Sequence, residues 1–276
     1  MKPKKIVILV SAFIILLFIY WPTFRWLVSS WLSSDYYSHG FLVPMVSGFF
    51  VWTKREHLQR REPSIIGVPL FLLGALLYAL SFLWEIRVLG ALSLLIVITA
   101  LVFSVFGVRT ARMMLFPLVF LVFMIPAPFV PDIAYRLQEI SVLSSSWLLG
   151  VLGLPITSSG PEIYLKNATF TIGLPCSGIN TLIALLALTA IYGYILTGSV
   201  FKRVILFILA FPIAIVANIL RITTVIMVAY YFNIQAATGW YHDISSPLFF
   251  ILAVLVLILI GRIMKCRFNY QMLRRQ

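Results

Sequence analysis

Apolar runs close to bilayer-spanning length recur along this chain, at about 6–21, 41–52, 65–84, 88–106, 113–129, 177–196, 204–220 and 247–263. A spanning helix needs roughly 20 consecutive apolar residues. Backbone in lipid must close its own hydrogen bonds, so helices are what such runs form. Composition excludes the soluble alternative, because 62% of the 276 residues are hydrophobic and 11% are charged, against about 45–50% and about 25% in a soluble domain. The expected architecture is an all-α integral membrane protein of about eight transmembrane helices. No repeat or soluble linker interrupts it, so residues 1–276 read as a single polytopic membrane domain.

Two runs have ambiguous ends. The first follows Met1-Lys2-Pro3-Lys4-Lys5 and begins as a signal peptide does. Trp21-Pro22-Thr23-Phe24-Arg25 offers no small-residue cleavage site, which favours a retained signal-anchor helix. The second run is short. The polar Tyr36-Tyr37-Ser38-His39-Gly40 ahead of it either lets its helix start deeper in the membrane or makes the segment re-entrant.

A net charge of +13 on a soluble protein would suggest nucleic acid as a partner. In a membrane protein the same excess sets topology, because Lys and Arg collect in cytoplasmic loops. With the N-terminus inside and eight spans, the C-terminus is also inside, and sixteen of the 21 basic residues fall on the cytoplasmic side. The five left over are Arg25, Arg87, Arg136, Lys166 and Arg221. No nucleic-acid partner is expected. The two cysteines, Cys176 and Cys266, make no disulfide framework and no metal pattern. No cofactor motif is present either, so neither metal nor cofactor is expected.

This topology leaves one large outer segment, 130–175. Its first part carries Ile133, Leu137, Ile140, Leu143, Trp147 and Gly150 at roughly helical spacing, with Arg136, Gln138 and Glu139 between them. That pattern predicts an amphipathic helix lying at the outer interface. The second part has turn residues at Ser158-Ser159-Gly160-Pro161. Ile163-Tyr164-Leu165 and Ala168-Thr169-Phe170-Thr171-Ile172 follow, and predict two short strands in a β-hairpin. Together they would form an extracytoplasmic cap.

Three residues are candidates for chemistry. A Cys-His pair can generate a thiolate, and an arginine can hold an oxyanion, which suffices for acyl transfer. Cys176 lies 21 residues from Thr197, Arg221 lies 18 from Arg203, and His242 lies 20 from Arg262. At about 1.5 Å per residue these are helix lengths of about 32, 27 and 30 Å, close to the hydrocarbon thickness of about 30 Å. All three therefore reach the outer boundary at one level. Each also has a plainer reading: Cys176 as a small buried hydrophobe, Arg221 as a cation snorkelling to headgroups, and His242 as an interfacial loop residue. Asn218, one turn before Arg221, and Asp243, next to His242, could orient their neighbours. His39 lies on the outer side and competes with His242 as the base. His57 reads as a solvated cytoplasmic residue. Cys266, among Lys265 and Arg267 on the opposite side, is too far from either histidine to pair.

At this point the chain resembles the exosortase/archaeosortase family of multi-pass membrane transpeptidases. Tyr37-Ser38-His39-Gly40-Phe41-Leu42-Val43-Pro44 looks like the family's amino-terminal signature. Leu115-Phe116-Pro117 through Met124-Ile125-Pro126-Ala127-Pro128 looks like its central one. Cys176-Ser177-Gly178-Ile179 is similar to the nucleophile motif, Asn218-Ile219-Leu220-Arg221-Ile222 to the Asn-x-x-Arg motif, and His242-Asp243 to the histidine motif. Pro175 and Ser246 depart from the family's small residue before the cysteine and glycine after the histidine. The resemblance implies a cysteine transpeptidase or endopeptidase of the cell (inner) membrane, with its active site on the extracytoplasmic side. Its substrates would carry a tripartite C-terminal sorting signal: a short Pro-containing motif, a spanning helix and a basic cluster. That signal is of PEP-CTERM type in bacteria and of PGF type in archaea. Membrane lipids are further partners, and a lipid or polysaccharide could act as the acceptor.

A second class stays open: a channel, transporter or polysaccharide-export component without covalent chemistry. Against it, ionisable residues in the middle of the spans are scarce. Rhomboid-like serine proteolysis lacks its Gly-x-Ser-Gly stretch.

Overall fold

The computed structural model describes residues 11, 14–34, 36–55, 64–165 and 168–268. The basic start 1–5, most of the first apolar run, Asp35, His57 and its loop, Lys166 and the tail from 269 lie outside the described residues. The described residues are 80% helical, and the chain divides into two compact units, within Met1–Pro128 and within Phe129–Arg275.

The first unit contains helices α1 (Trp21–Ser33), α2 (Leu42–Thr53), α3 (Gly67–Leu83), α4 (Arg87–Met113) and α5 (Leu115–Phe120). α3 and α4 form a tight helical hairpin. Gly74 makes this approach possible: a Cβ there would fall 2.6 Å from Val97 Cγ2. Ser93 Oγ donates to the Gly74 carbonyl at 2.7 Å and also bonds Tyr20 Oη at 2.6 Å. Small residues and hydroxyls at the seam, with Phe71, Leu72, Leu73 and Leu76 turned outward, are the packing expected when lipid is the solvent.

The run 113–129 is not one continuous helix. α5 tightens into a 3-10 turn at Leu121–Met124, and Ile125 is extended. Pro126 and Pro128 follow, and a residue before proline is pushed out of the helical region. The broken backbone finds partners in the 31–47 segment. Trp31 Nε1 donates to the Met124 carbonyl at 2.8 Å, the Ala127 N–H donates to Tyr37 Oη at 2.8 Å, and Ser47 Oγ donates to the Pro117 carbonyl at 2.8 Å.

The second unit runs α6 (Val130–Val151), β1 (Thr157–Ser159), β2 (Glu162–Leu165), β3 (Ala168–Thr171), α7 (Ile179–Ile195), α8 (Val200–Tyr231), α9 (Ile234–Thr238) and α10 (Trp240–Ile263). Leu196–Thr197 and Arg267–Phe268 form a further two-stranded ladder. The expected hairpin is a three-stranded antiparallel meander, with Thr157 opposite Tyr164 and Ile163 opposite Phe170. Gly160 at φ 56° and Pro161 suffice for the first turn, which frees Ser158 and Ser159 to pair instead of turning.

α6 spans the segment expected to form an amphipathic helix. Its packed face is Ala134, Leu137, Gln138, Ser141, Val142, Ser145 and Leu149, whereas Ile140, Leu143 and Trp147 are exposed. Ala134, Ser141 and Ser145 face protein beside Leu137, Val142 and Leu149, and the outward face is bulky and apolar, as lipid allows. Behind the packed face, Val142, Leu149, Ile163, Ile172, Ile222 and Ile226 form one core, which joins the sheet to α6 and α8.

Among the described residues, three helices are long and apolar enough to cross a membrane: Arg87–Met113, Val200–Tyr231 and Trp240–Ile263. Gly67–Leu83, Leu115–Met124 and Ile179–Ile195 are shorter apolar helical segments.

Candidate active site

Cys176 stands in a 3-10 turn, Leu174–Ser177, just ahead of α7. Gly178 ends that turn at φ 91°, ψ 0°, a left-handed conformation that costs any residue bearing a Cβ. A Cβ there would also fall 2.7 Å from Asn218 Cγ, so glycine serves both the turn and the approach of α8. Ser177 is buried, and its Oγ accepts from the Ile179 N–H at 3.4 Å, closing the first turn of α7.

Asn218 fixes the turn from the opposite side. It is 3% exposed, and its Nδ2 donates to the Cys176 carbonyl and to Ser141 Oγ of α6, both at 3.1 Å. One carboxamide therefore ties α8, α6 and the Cys176 turn together. Its Oδ1 has no hydrogen-bond partner among the described residues.

Arg221, one turn further along α8, is 9% exposed. Its Nε donates to Ser245 Oγ at 3.3 Å, and Ser245, fully buried, donates to the His242 carbonyl at 2.9 Å. Arg221 Nη2 lies 3.3 Å from His242 Nε2, and Cys176 Sγ lies 3.7 Å from the same nitrogen. A guanidinium only donates, so that contact makes Nε2 an acceptor and leaves the imidazole proton on Nδ1. Nδ1 lies 3.4 Å from Asp243 Oδ1. No carboxylate pairs with Arg221 among the described residues, where the ion pairs are Arg136–Glu139 and His242–Asp243.

His242 is inside the first turn of α10, not in a loop before it. α8 continues to Tyr231 instead of ending near Leu220, so Arg221 projects from a helix wall. Cys176, Arg221 and His242 line a cavity of about 250 Å³ together with Phe170, Ile172, Ile222 and Val225. The arrangement offers a thiol, a proton acceptor within reach of it, and an uncompensated cation beside an apolar recess.

His39 belongs to the other unit, in the turn Ser38–Phe41. Burial holds its pKa below the ordinary imidazole value, partly opposed by a hydrogen bond to the Phe123 backbone, and its Nε2 has no partner among the described residues. Cys266 is buried. Among the described residues, no three of His, Cys, Asp and Glu gather as a metal site requires.

Sequence reasoning missed Ser245 and Ser141. Ser245 sits three residues after His242, a spacing that places it on the same helical face. Ser141 carried no signal, because nothing in the sequence marks which serine of α6 meets Asn218. No curated protein and no solved structure matches the chain. A family model described as transmembrane exosortase matches residues 31–259, a span that includes the whole cluster.

Proposed function

The chain belongs to the transmembrane exosortase family, and from that premise we propose that it is a membrane-embedded cysteine transpeptidase. Its substrates are exported proteins that end in a sorting signal of short motif, spanning helix and basic cluster. The observation that carries this reading is the buried Arg221, without a carboxylate partner among the described residues and in contact with the His242 nitrogen that faces Cys176. Removing a lone cation from water is costly. The cost is offset where an anion forms, here a thiolate and then an oxyanion.

The chemistry follows from the contacts. The Cys176 S–H proton passes to His242 Nε2 as the sulfur bonds to the carbonyl carbon near the sorting motif. The carbonyl π pair moves onto oxygen, which accepts from the Arg221 N–H groups. Collapse breaks the C–N bond, and the imidazolium Nε2–H protonates the leaving amine. The departing fragment carries the signal's helix and basic cluster, and a thioester stays on Cys176. An acceptor amine, or water, then attacks the thioester carbonyl, loses its proton to Nε2 and releases the sulfur. Amine attack gives transfer, and water gives hydrolysis. The reaction takes place on the extracytoplasmic side of the cell membrane, the side from which the basic loops are absent.

Co-expression with a protein bearing such a signal tests the reading. Wild type should remove the signal's helix, seen as a mass shift, and Cys176→Ala should not, at equal expression. Full processing by Cys176→Ala would sink the proposal. Solute flux without cleavage would move the chain to the carrier class.

A further inference from the structure

The unit within Met1–Pro128 contains a cavity of about 640 Å³, well over twice the volume at Cys176. It opens where α3 ends and α4 begins, against the first turns of α1. Its lining brings together Arg25, Arg87 and Glu85 with the indoles of Trp21 and Trp26. These cations come from helices more than fifty residues apart in sequence, yet they converge on one concave surface. Neither arginine is ion-paired among the described residues. Thr23, another lining residue, is 8% exposed and brings a hydroxyl to the same cavity.

Depth narrows the ligand. α4 is long and apolar enough to cross a membrane, so Arg87 at its first position stands at a hydrocarbon boundary, the level of lipid phosphates. Tryptophan is enriched at that level. Two lone arginines could each snorkel to passing headgroups. Snorkelling does not account for two guanidiniums from separate helices sharing one cavity with the Thr23 hydroxyl. Two guanidiniums and one carboxylate leave the lining one positive charge in excess, the complement of a phosphodiester monoanion.

We propose that this cavity binds the phosphate ester headgroup of an amphiphile. Arg25 and Arg87 donate to the phosphoryl oxygens, and the Thr23 hydroxyl adds a third donor. The lipid chain lies along Trp21, Tyr78 and Phe82. Phosphate is the recognised chemistry, and it could come from a lipid or from free phosphate in water. The site uses no residue of the transpeptidase cluster, so either reading can fail alone.

The test is native mass spectrometry of the full-length protein in detergent, titrated with dioleoylphosphatidylglycerol, with dioleoylglycerol (which lacks phosphate) and with inorganic phosphate. Wild type should bind the phospholipid saturably and dioleoylglycerol not at all. Arg25→Gln with Arg87→Gln should weaken the phospholipid by roughly tenfold or more, since each charge-assisted hydrogen bond lost is large on that scale. Arg136→Gln, in the other unit, should leave it unchanged. Displacement by millimolar phosphate would assign the site to free phosphate as well as to lipid. If the double glutamine variant does not fold, Thr23→Val and the Arg25→Lys, Arg87→Lys pair provide folded variants in which binding must weaken. Equal phospholipid affinity in wild type and every folded variant, or equal binding of dioleoylglycerol, overturns the proposal.

Discussion

Replacing Asn218 by alanine should loosen the nucleophile turn, and its size can be worked from the contacts. The side chain donates twice, to Ser141 Oγ and to the Cys176 carbonyl, each at 3.1 Å. A neutral buried hydrogen bond contributes about 0.5–1.5 kcal/mol net, and an acceptor left buried without a partner costs about 1–3 kcal/mol. The variant also removes an Oδ1 that has no partner among the described residues, which returns part of the loss. The expected destabilisation is about 2–3 kcal/mol. Ser141→Ala removes one bond and keeps the other, so its loss should be near 1 kcal/mol. Equilibrium unfolding in mixed micelles gives both numbers. Alkylation of Cys176 in a Cys266→Ala background reports the turn itself. Asn218→Ala should change that alkylation rate and lower cleavage by about a hundredfold, the scale expected when a reacting group shifts by about 1 Å. Ser141→Ala should do neither strongly. An Asn218→Ala protein with a wild-type unfolding midpoint and full cleavage would refute the argument that this carboxamide holds Cys176 in place.

Three further outcomes follow from the same geometry. Ser245→Ala removes the acceptor for Arg221 Nε and the donor to the His242 carbonyl. It should lower kcat roughly tenfold through a loosened oxyanion donor, with KM nearly unchanged and rescue by Ser245→Thr; a change confined to KM would contradict that role. Gly178→Ala forces a Cβ into the left-handed region at φ 91° and against Asn218, at about 1–2 kcal/mol for the backbone alone, and should lose most cleavage; an alanine variant as stable and as active as wild type would count against the turn. Asp243 is 82% exposed at its side chain, where partners are weakly held. Asp243→Asn should therefore cost about threefold or less in cleavage, and a loss equal to that of His242→Ala would show that Asp243 does more than sit beside the imidazole.

Much of the cluster was legible because each candidate occupies the same end of its apolar run, measured from Thr197, Arg203 or Arg262 at the other end. Helix rise alone puts Cys176, Arg221 and His242 at a common level, and their sulfur, guanidinium and imidazole are in fact neighbours. The family signatures at 37–44 and 115–128 were legible as text but not as structure. The hydrogen bond from the Ala127 N–H to Tyr37 depends on a backbone broken by Pro126 and Pro128, which a hydropathy reading passes over. Periodicity located the apolar stripe of α6, but not which of its polar positions pack on protein. Ser141 and Ser145 face in, and Ser141 could be picked out only once the position of Asn218 was known.

α8 runs for 32 residues, about 48 Å, against a hydrocarbon core of about 30 Å. On the proposed topology Lys202 and Arg203 mark the cytoplasmic boundary, Arg221 lies at the outer one, and the surplus is the turns beyond it, through Tyr231. A sorting signal would then be cut at the outer hydrocarbon boundary, where its chain leaves the spanning helix. The protein then needs no device to unwind a substrate helix before a carbonyl can reach Cys176, a requirement that any protease cutting inside the hydrocarbon has to meet.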